Sequence, residues 1–256
     1  MYYKFLIMRK FLITILLMLL MVPSLMSQSV AFKNESLNYK IIYHWGLIWK
    51  HAGSATLLLN NEGDKAHARL ACRSRSWVDK MFKVRDTLSC SFFNKDLRPI
   101  IYRKDAHEGK GVVHDVVSYT YNGNKVTADC RHARKGRPVW NGSFDADGPA
   151  YDMLSIFYYI RQLDYSKMKA GDRHSVYVFS GHRKEILTVK YVGVEEIELR
   201  DESKHKAHHI KFSFTREDKK KSSDDMDTWI SVEASKIPLM LKGKLPIGEV
   251  RCYYEN

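Results

Sequence analysis

The sequence predicts a mainly all-β protein, a large curved antiparallel meander or open, spiral β-barrel with one central amphipathic helix. Three observations predict it: about twelve segments with apolar residues at every second position, short polar turns between them, and one interval at helical spacing instead. Period-two alternation marks a strand with one buried face, because successive side chains leave a strand on opposite sides.

Residues 1–27 read as a cleavable secretory signal. Arg9 and Lys10 precede an uncharged run, 11–22, and small residues follow up to Ser27. That run is about 12 residues, short of the roughly 18 to 20 needed for a permanent transmembrane helix. The expected working protein is therefore a single exported, soluble domain, 28–256, in the periplasm or associated with the outer envelope. It would keep no integral membrane anchor after cleavage, and no cysteine near the cut could accept a lipid.

The expected strands are 37–45, 54–59, 67–75, 84–93, 99–104, 112–121, 125–131, 175–179, 185–192, 208–214, 228–234 and 249–254. Asn122-Gly123 between two of them is a strong hairpin signal, since both residues tolerate the positive φ of a type I′ turn. Residues 134–148, with Gly136, Pro138, Gly142 and Gly148, read as a long loop, and the polar run 216–227 as an exposed turn. Between Pro149 and Gly171, Met153, Ile156, Phe157, Ile160 and Leu163 fall at helical spacing and predict the one helix.

Forty-two basic residues against 29 acidic ones give a net charge of +13, and the first 27 residues hold only three of the basic groups. The remaining surface suits anionic head groups, acidic glycans or phosphates; nucleic acid is not an expected partner for an exported chain.

Strand alternation points all four cysteines, Cys72, Cys90, Cys130 and Cys252, inward. A hairpin turning at 80–82 would oppose Cys72 to Cys90 and leave Cys130 for Cys252. The competing reading is four small core residues, because directly opposed strand pairs strain a disulfide.

No catalytic residue, cofactor or metal site is expected. The common nucleophile-elbow, zinc-protease, phosphate-loop and dinucleotide motifs are missing. His205, His208 and His209 are crowded by Lys204, Lys206 and Lys211, and alternation sends His208 and His209 to opposite faces. Asp145, Asp147 and Asp152 lack the glutamate of a calcium loop, so capping by Asp147 or Asp152 is the simpler reading. His107, His114 and His132, with Glu108 and Asp115 nearby, leave room for a hydrolase with a dispersed site.

Fifteen tyrosines, 11 phenylalanines and five tryptophans suit either a filled core or the wall of a cavity for a partly apolar ligand. Trp45 and Trp49 bracket the first turn, and Phe157, Tyr158 and Tyr159 sit together in the helix.

Several short patterns run in order along the chain: Tyr39, Tyr43, Trp45 and Gly46, then Ala52 and Gly53; Asp152, Ser155, Tyr158, Tyr159 and Arg161; Trp229 and Ser231, Ile237 to Leu239, and Ile247-Gly248. Together they resemble the exported family called domain of unknown function 3108, and Ser27-Gln28 is similar to the style of Bacteroidetes envelope proteins. The resemblance implies a curved or spiral antiparallel sheet wrapped round a helix, an envelope location and no established activity. The basic stretch 131–137 departs from it. Asp152, Ser155 and Arg161 match the family's polar helix positions, and Arg161 would pair with Asp152 or with a ligand anion.

Three functions follow as expectations. The first is a non-enzymatic envelope protein holding an amphiphilic, lipid-like or glycolipid-like ligand, with Trp45, Trp49, Phe157, Tyr158 and Arg161 lining or gating the cavity. The second is an assembly factor that binds another envelope protein through a sheet edge or the basic stretch. The third is the histidine-dependent hydrolase.

Overall fold

Fifteen strands hydrogen-bond into one continuous sheet in the computed structural model, which describes residues 32–216 and 226–255. The expected signal segment and most of the turn expected over 216–227 lie outside the described residues. In chain order the elements are β1 (Glu35–Trp45), β2 (Ile48–Glu62), β3 (Lys65–Ser74), α1 (Ser76–Phe82), β4 (Val84–Phe93), β5 (Pro99–Glu108), β6 (Gly111–Asn122) and β7 (Lys125–Arg134). They continue with β8 (Trp140–Asp147), β9 (Ala150–Asp152), α2 (Ser155–Gln162), β10 (Arg173–Phe179), β11 (Lys184–Glu198), β12 (Lys204–Arg216), β13 (Met226–Ser231), β14 (Pro238–Lys244) and β15 (Glu249–Glu255).

The chain enters the sheet in its middle. From β1 it meanders outward through β2 to β8, reaches one edge, restarts at the other edge with β9, and returns to β15 beside β1. The closing ladder runs from Asn38 opposite Glu255 to His44 opposite Glu249. Edge strands β8 and β9 follow one another in the chain, so the sheet curls into a nearly closed barrel. Gly148 between them adopts φ +108°, a conformation that L side chains rarely adopt. β9 and β10 pair in parallel, which demands a crossover, and α2 is part of that crossover.

Antiparallel pairing sorts the connections to two ends. The turns at 63–64, 94–98, 123–124, 199–203 and 232–237 share one end; the turns at 46–47, 109–110, 180–183 and 245–248 share the other with α1. α2 fills the first end. Its Ser155, Ile156, Tyr158, Ile160 and Arg161 are all buried, as befits a helix surrounded by sheet. Inward residues such as Leu57, Leu59, Ala66, Ala68, Phe92, Val117 and Ala128 complete one core with it. Trp229 and Tyr253 anchor a smaller cluster with Ile42, Ile197 and Ala207. Among the described residues no helix is long and apolar enough to cross a membrane.

Several expectations need correction. The stretch read as a long loop contains β8, an edge strand whose mostly exposed residues leave little alternation to see. The helix begins at Ser155, because 150–152 are used as β9. Residues 76–82 form α1 instead of a simple hairpin, and β14 carries too irregular an apolar pattern to read as alternation. The cysteine pairing also fails. All four cysteines are free, since the true register sets Cys72 opposite Asp86 and Cys90 opposite Ala68. Cys130 on β7 and Cys252 on β15 are on strands that are not neighbours.

Candidate functional site

Where α2 does not reach, the inward positions of adjacent strands carry small side chains, and the interior is left unfilled. Ala55 on β2, Cys72 on β3, Thr228 on β13 and Cys252 on β15 join Tyr39, Ile41, Leu57, Met240 and Leu241 around a cavity of about 190 Å³, capped by Leu154 and Phe157. A second cavity of about 460 Å³ continues toward the open end, lined by Tyr43, Gly53, Trp77, Met81, Leu245 and Val250 among others. Ile41 and Cys72 line both, so the two volumes meet there.

Gly53 is forced by this geometry, because a Cβ there would stand 2.6 Å from the Arg73 carbonyl oxygen. Burial pushes the Cys72 thiol up to about 11 and the Cys252 thiol up to about 12, so both stay protonated and behave as apolar wall. The Thr228 hydroxyl donates to the Met240 carbonyl at 2.9 Å and is thereby neutralised. The buried Tyr39 hydroxyl has no hydrogen-bond partner among the described residues; burial also pushes its pKa far above the ordinary tyrosine value. It is the wall's one unspent polar group of this kind.

The five residues expected at the cavity are scattered. Phe157 lines it. Tyr158 is buried against Phe32 and Phe92, with ring centroids 5.2 and 5.3 Å away. Arg161 is a structural clamp: its guanidinium donates to both Glu35 oxygens at 2.5 and 2.9 Å and to the Lys236 and Ser235 carbonyls at 2.9 and 3.0 Å. Its carboxylate partner is Glu35 and not Asp152. Asp152 instead caps the first turn of α2, accepting from the backbone N–H of Leu154 and Ser155 at 2.8 Å each and from the Ser155 hydroxyl at 2.9 Å. Trp45 and Trp49 stand exposed at the open end, Trp49 stacked on His44 at 3.7 Å. Sequence reasoning missed Tyr39, Ile41, Leu57, Cys72 and Met240 as lining residues, although inward alternation with small neighbours was there to be read.

The candidate histidines do not converge. His114 pairs with Asp105 at 2.6 Å among exposed side chains near His107, whereas His132 pairs with buried Asp115 at 2.5 Å. His182, from the turn between β10 and β11, packs at a tilt against His132 with ring centroids 4.1 Å apart, and this contact stitches the returning half of the sheet to β7. His208 stacks on Tyr165 and His209 on Trp229, which accounts for both rings structurally. Among the described residues no group of three or more histidine, cysteine, aspartate or glutamate side chains is placed to hold a metal ion.

A barrel-like sheet plugged at one end by a helix, with an apolar passage behind the plug, defines a class of container-shaped β-proteins. The chain belongs to the family described as "Protein of unknown function (DUF3108)", whose model matches residues 38–254. A search of curated proteins found no match. Among solved structures it is similar in fold to the beta-barrel-like protein of domain of unknown function DUF1849 from Brucella abortus. That match has a TM-score of 0.61 at 9% identity and covers 89% of this chain and 98% of that chain.

Proposed function

We propose that this chain is an exported, non-enzymatic envelope protein that holds the apolar part of an amphiphilic ligand inside its barrel. The observation that carries the reading is the passage itself, whose two volumes taken together fall in the roughly 300 to 1,000 Å³ range of small-molecule sites and whose walls are almost wholly apolar. Closely packed interiors leave few voids larger than a water molecule, so an unfilled apolar volume of this size is an exception that a ligand would explain. An acyl chain fits such walls, and the Tyr39 hydroxyl offers one hydrogen bond to a polar group.

Filling the junction tests it. Cys72→Phe is expected to weaken binding of a fluorescent fatty acid at least about tenfold, roughly 1.4 kcal/mol, while the protein still melts cooperatively. Mass spectrometry of protein purified from its own envelope is expected to find an extractable amphiphile. A preparation with no extractable lipid and no affinity for the probe overturns the reading.

A second reading has its own observation. β8 is an eight-residue edge paired on one side with β7, and an extended segment of another envelope protein could add to it. Crosslinking in cells from β8 positions that captures no protein would remove this alternative.

A further inference from the structure

Large apolar side chains stand in water at the open end, on three neighbouring connections. They are Trp45, Leu47 and Ile48 in the turn between β1 and β2, Met81 in α1, and Leu245 and Ile247 in the turn between β14 and β15. Leu47 is 99% exposed, Met81 74% and Ile247 64%. α1 and the turn between β14 and β15 are each tied to the β1–β2 hairpin. The Tyr43 hydroxyl donates to the Ile247 carbonyl at 3.1 Å, and the Trp77 indole of α1 donates to the His51 carbonyl on β2 at 2.7 Å. Gly248 adds a close approach, since a Cβ there would meet the His44 carbonyl oxygen at 2.4 Å. These contacts gather the three connections at one mouth, where Met81 and Leu245 share a cavity wall and the apolar tips stand exposed.

Charge surrounds the patch with one sign. Lys50, Lys80, Lys83, Lys110 and Lys244 are exposed on or beside the same connections. The acids nearby are already engaged: Asp79 by Arg85, Glu249 by His44 and Arg251, and Glu108 by Lys104. Contiguous exposed apolar surface marks a docking site. Lysine is depleted in the core and around protein interfaces, whereas apolar tips ringed by lysines match the interface of an anionic bilayer, where the tips enter the head-group region and the ammonium groups meet phosphates.

We infer that this rim docks the open end of the barrel onto the surface of a bilayer containing anionic phospholipid. Met81 and Leu245 belong both to the rim and to the wall of the larger cavity, so docking sets the mouth of the passage against the lipid. The inference rests on the rim alone and stands whether or not the cavity carries a ligand, which is measured separately with the fatty-acid probe and no vesicles.

Hydrogen–deuterium exchange of the full chain tests it, with vesicles of phosphatidylcholine alone or mixed with phosphatidylglycerol. Mixed vesicles are expected to slow exchange in 45–49, 76–82 and 245–248. Leu47→Ser with Ile247→Ser, two exposed positions, is expected to abolish that protection with an unchanged thermal melt. Lys50→Glu with Lys244→Glu is expected to remove the preference for anionic vesicles at least about tenfold. Vesicle binding that leaves the three turns unprotected, as binding through residues 1–27 would, overturns the inference. So does full protection in the Leu47→Ser, Ile247→Ser protein, or an absence of vesicle binding, which would return the rim to a protein partner.

Discussion

Asp152 shows how a single residue in this fold carries opposed effects. Its carboxylate caps α2 with three hydrogen bonds, yet full burial outweighs them and pushes its pKa from 3.8 up to about 6. A raised folded pKa means that the contribution to stability is complete at acid pH, below the unfolded value, and is lost as pH rises through the folded one. Between about pH 4 and pH 7 the loss amounts to roughly 2.5 kcal/mol, most of the full shift at 1.36 kcal/mol per pKa unit. Asp152→Asn keeps an oxygen acceptor and does not titrate. Its stability relative to the wild type is expected to improve by up to that amount over the same interval, read as the difference between urea midpoints at the two pH values. A difference that stays flat with pH would show that Asp152 is ionised at no cost. Arg161 is the contrasting case, a buried cation whose donors meet two carboxylate oxygens and two carbonyls. Removing Glu35 is expected to cost about 3 to 5 kcal/mol, because the buried guanidinium is left without its carboxylate.

Among the elements, the turn between β10 and β11 matters most to the closure of the two halves. Gly181 sits there at φ +93°, and a Cβ would stand 2.5 Å from the Asp115 carboxyl carbon. Gly181→Ala combines a disfavoured backbone with a clash against the acid that holds His132. It is expected to destabilise the protein by more than about 1 kcal/mol and to speed amide exchange in β10 and the turn before β6 and β7 are affected. Uniform loss of protection across the sheet would contradict a local seam. This seam was illegible in the sequence, because nothing in residues 180–183 announces partners as far back as Asp115 and His132. Strands with one clearly buried face were legible, and β4 falls on the residues that alternation marks. β8 was not, since an exposed edge strand buries too little to impose a pattern. The cavity was half legible: inward parity gave the cysteines their direction, but the four-residue slip that α1 introduces between Cys72 and Cys90 reversed the inference about pairing.

For the molecule as a whole, the decisive contact is the ladder that joins its two ends. Lys40 and Glu255, ion-paired at 2.7 Å, lie 215 positions apart in the chain. Closing a loop of that length costs about 5 kcal/mol of chain entropy by the logarithmic rule, plus a constant. Hairpins such as β6–β7, joined by Gly123-Asn124, close over two residues and repay their entropy at once. The two meanders are therefore expected to form first, β1 to β8 and β10 to β14, with the β1–β15 ladder added last. Tyr254 packs edge-on against Tyr39 at 6.0 Å across that ladder, which makes it the reporter of closure. Tyr254→Ala should raise the unfolding rate while leaving the folding rate nearly unchanged, giving a φ-value below about 0.3 in stopped-flow measurements. The same substitution in an early hairpin, Tyr119→Ala on β6, should slow folding instead. A φ-value near 1 at Tyr254 would mean that the termini meet before the meanders are built, and that the passage between them is enclosed at the start of folding, with α2 entering a barrel already shut.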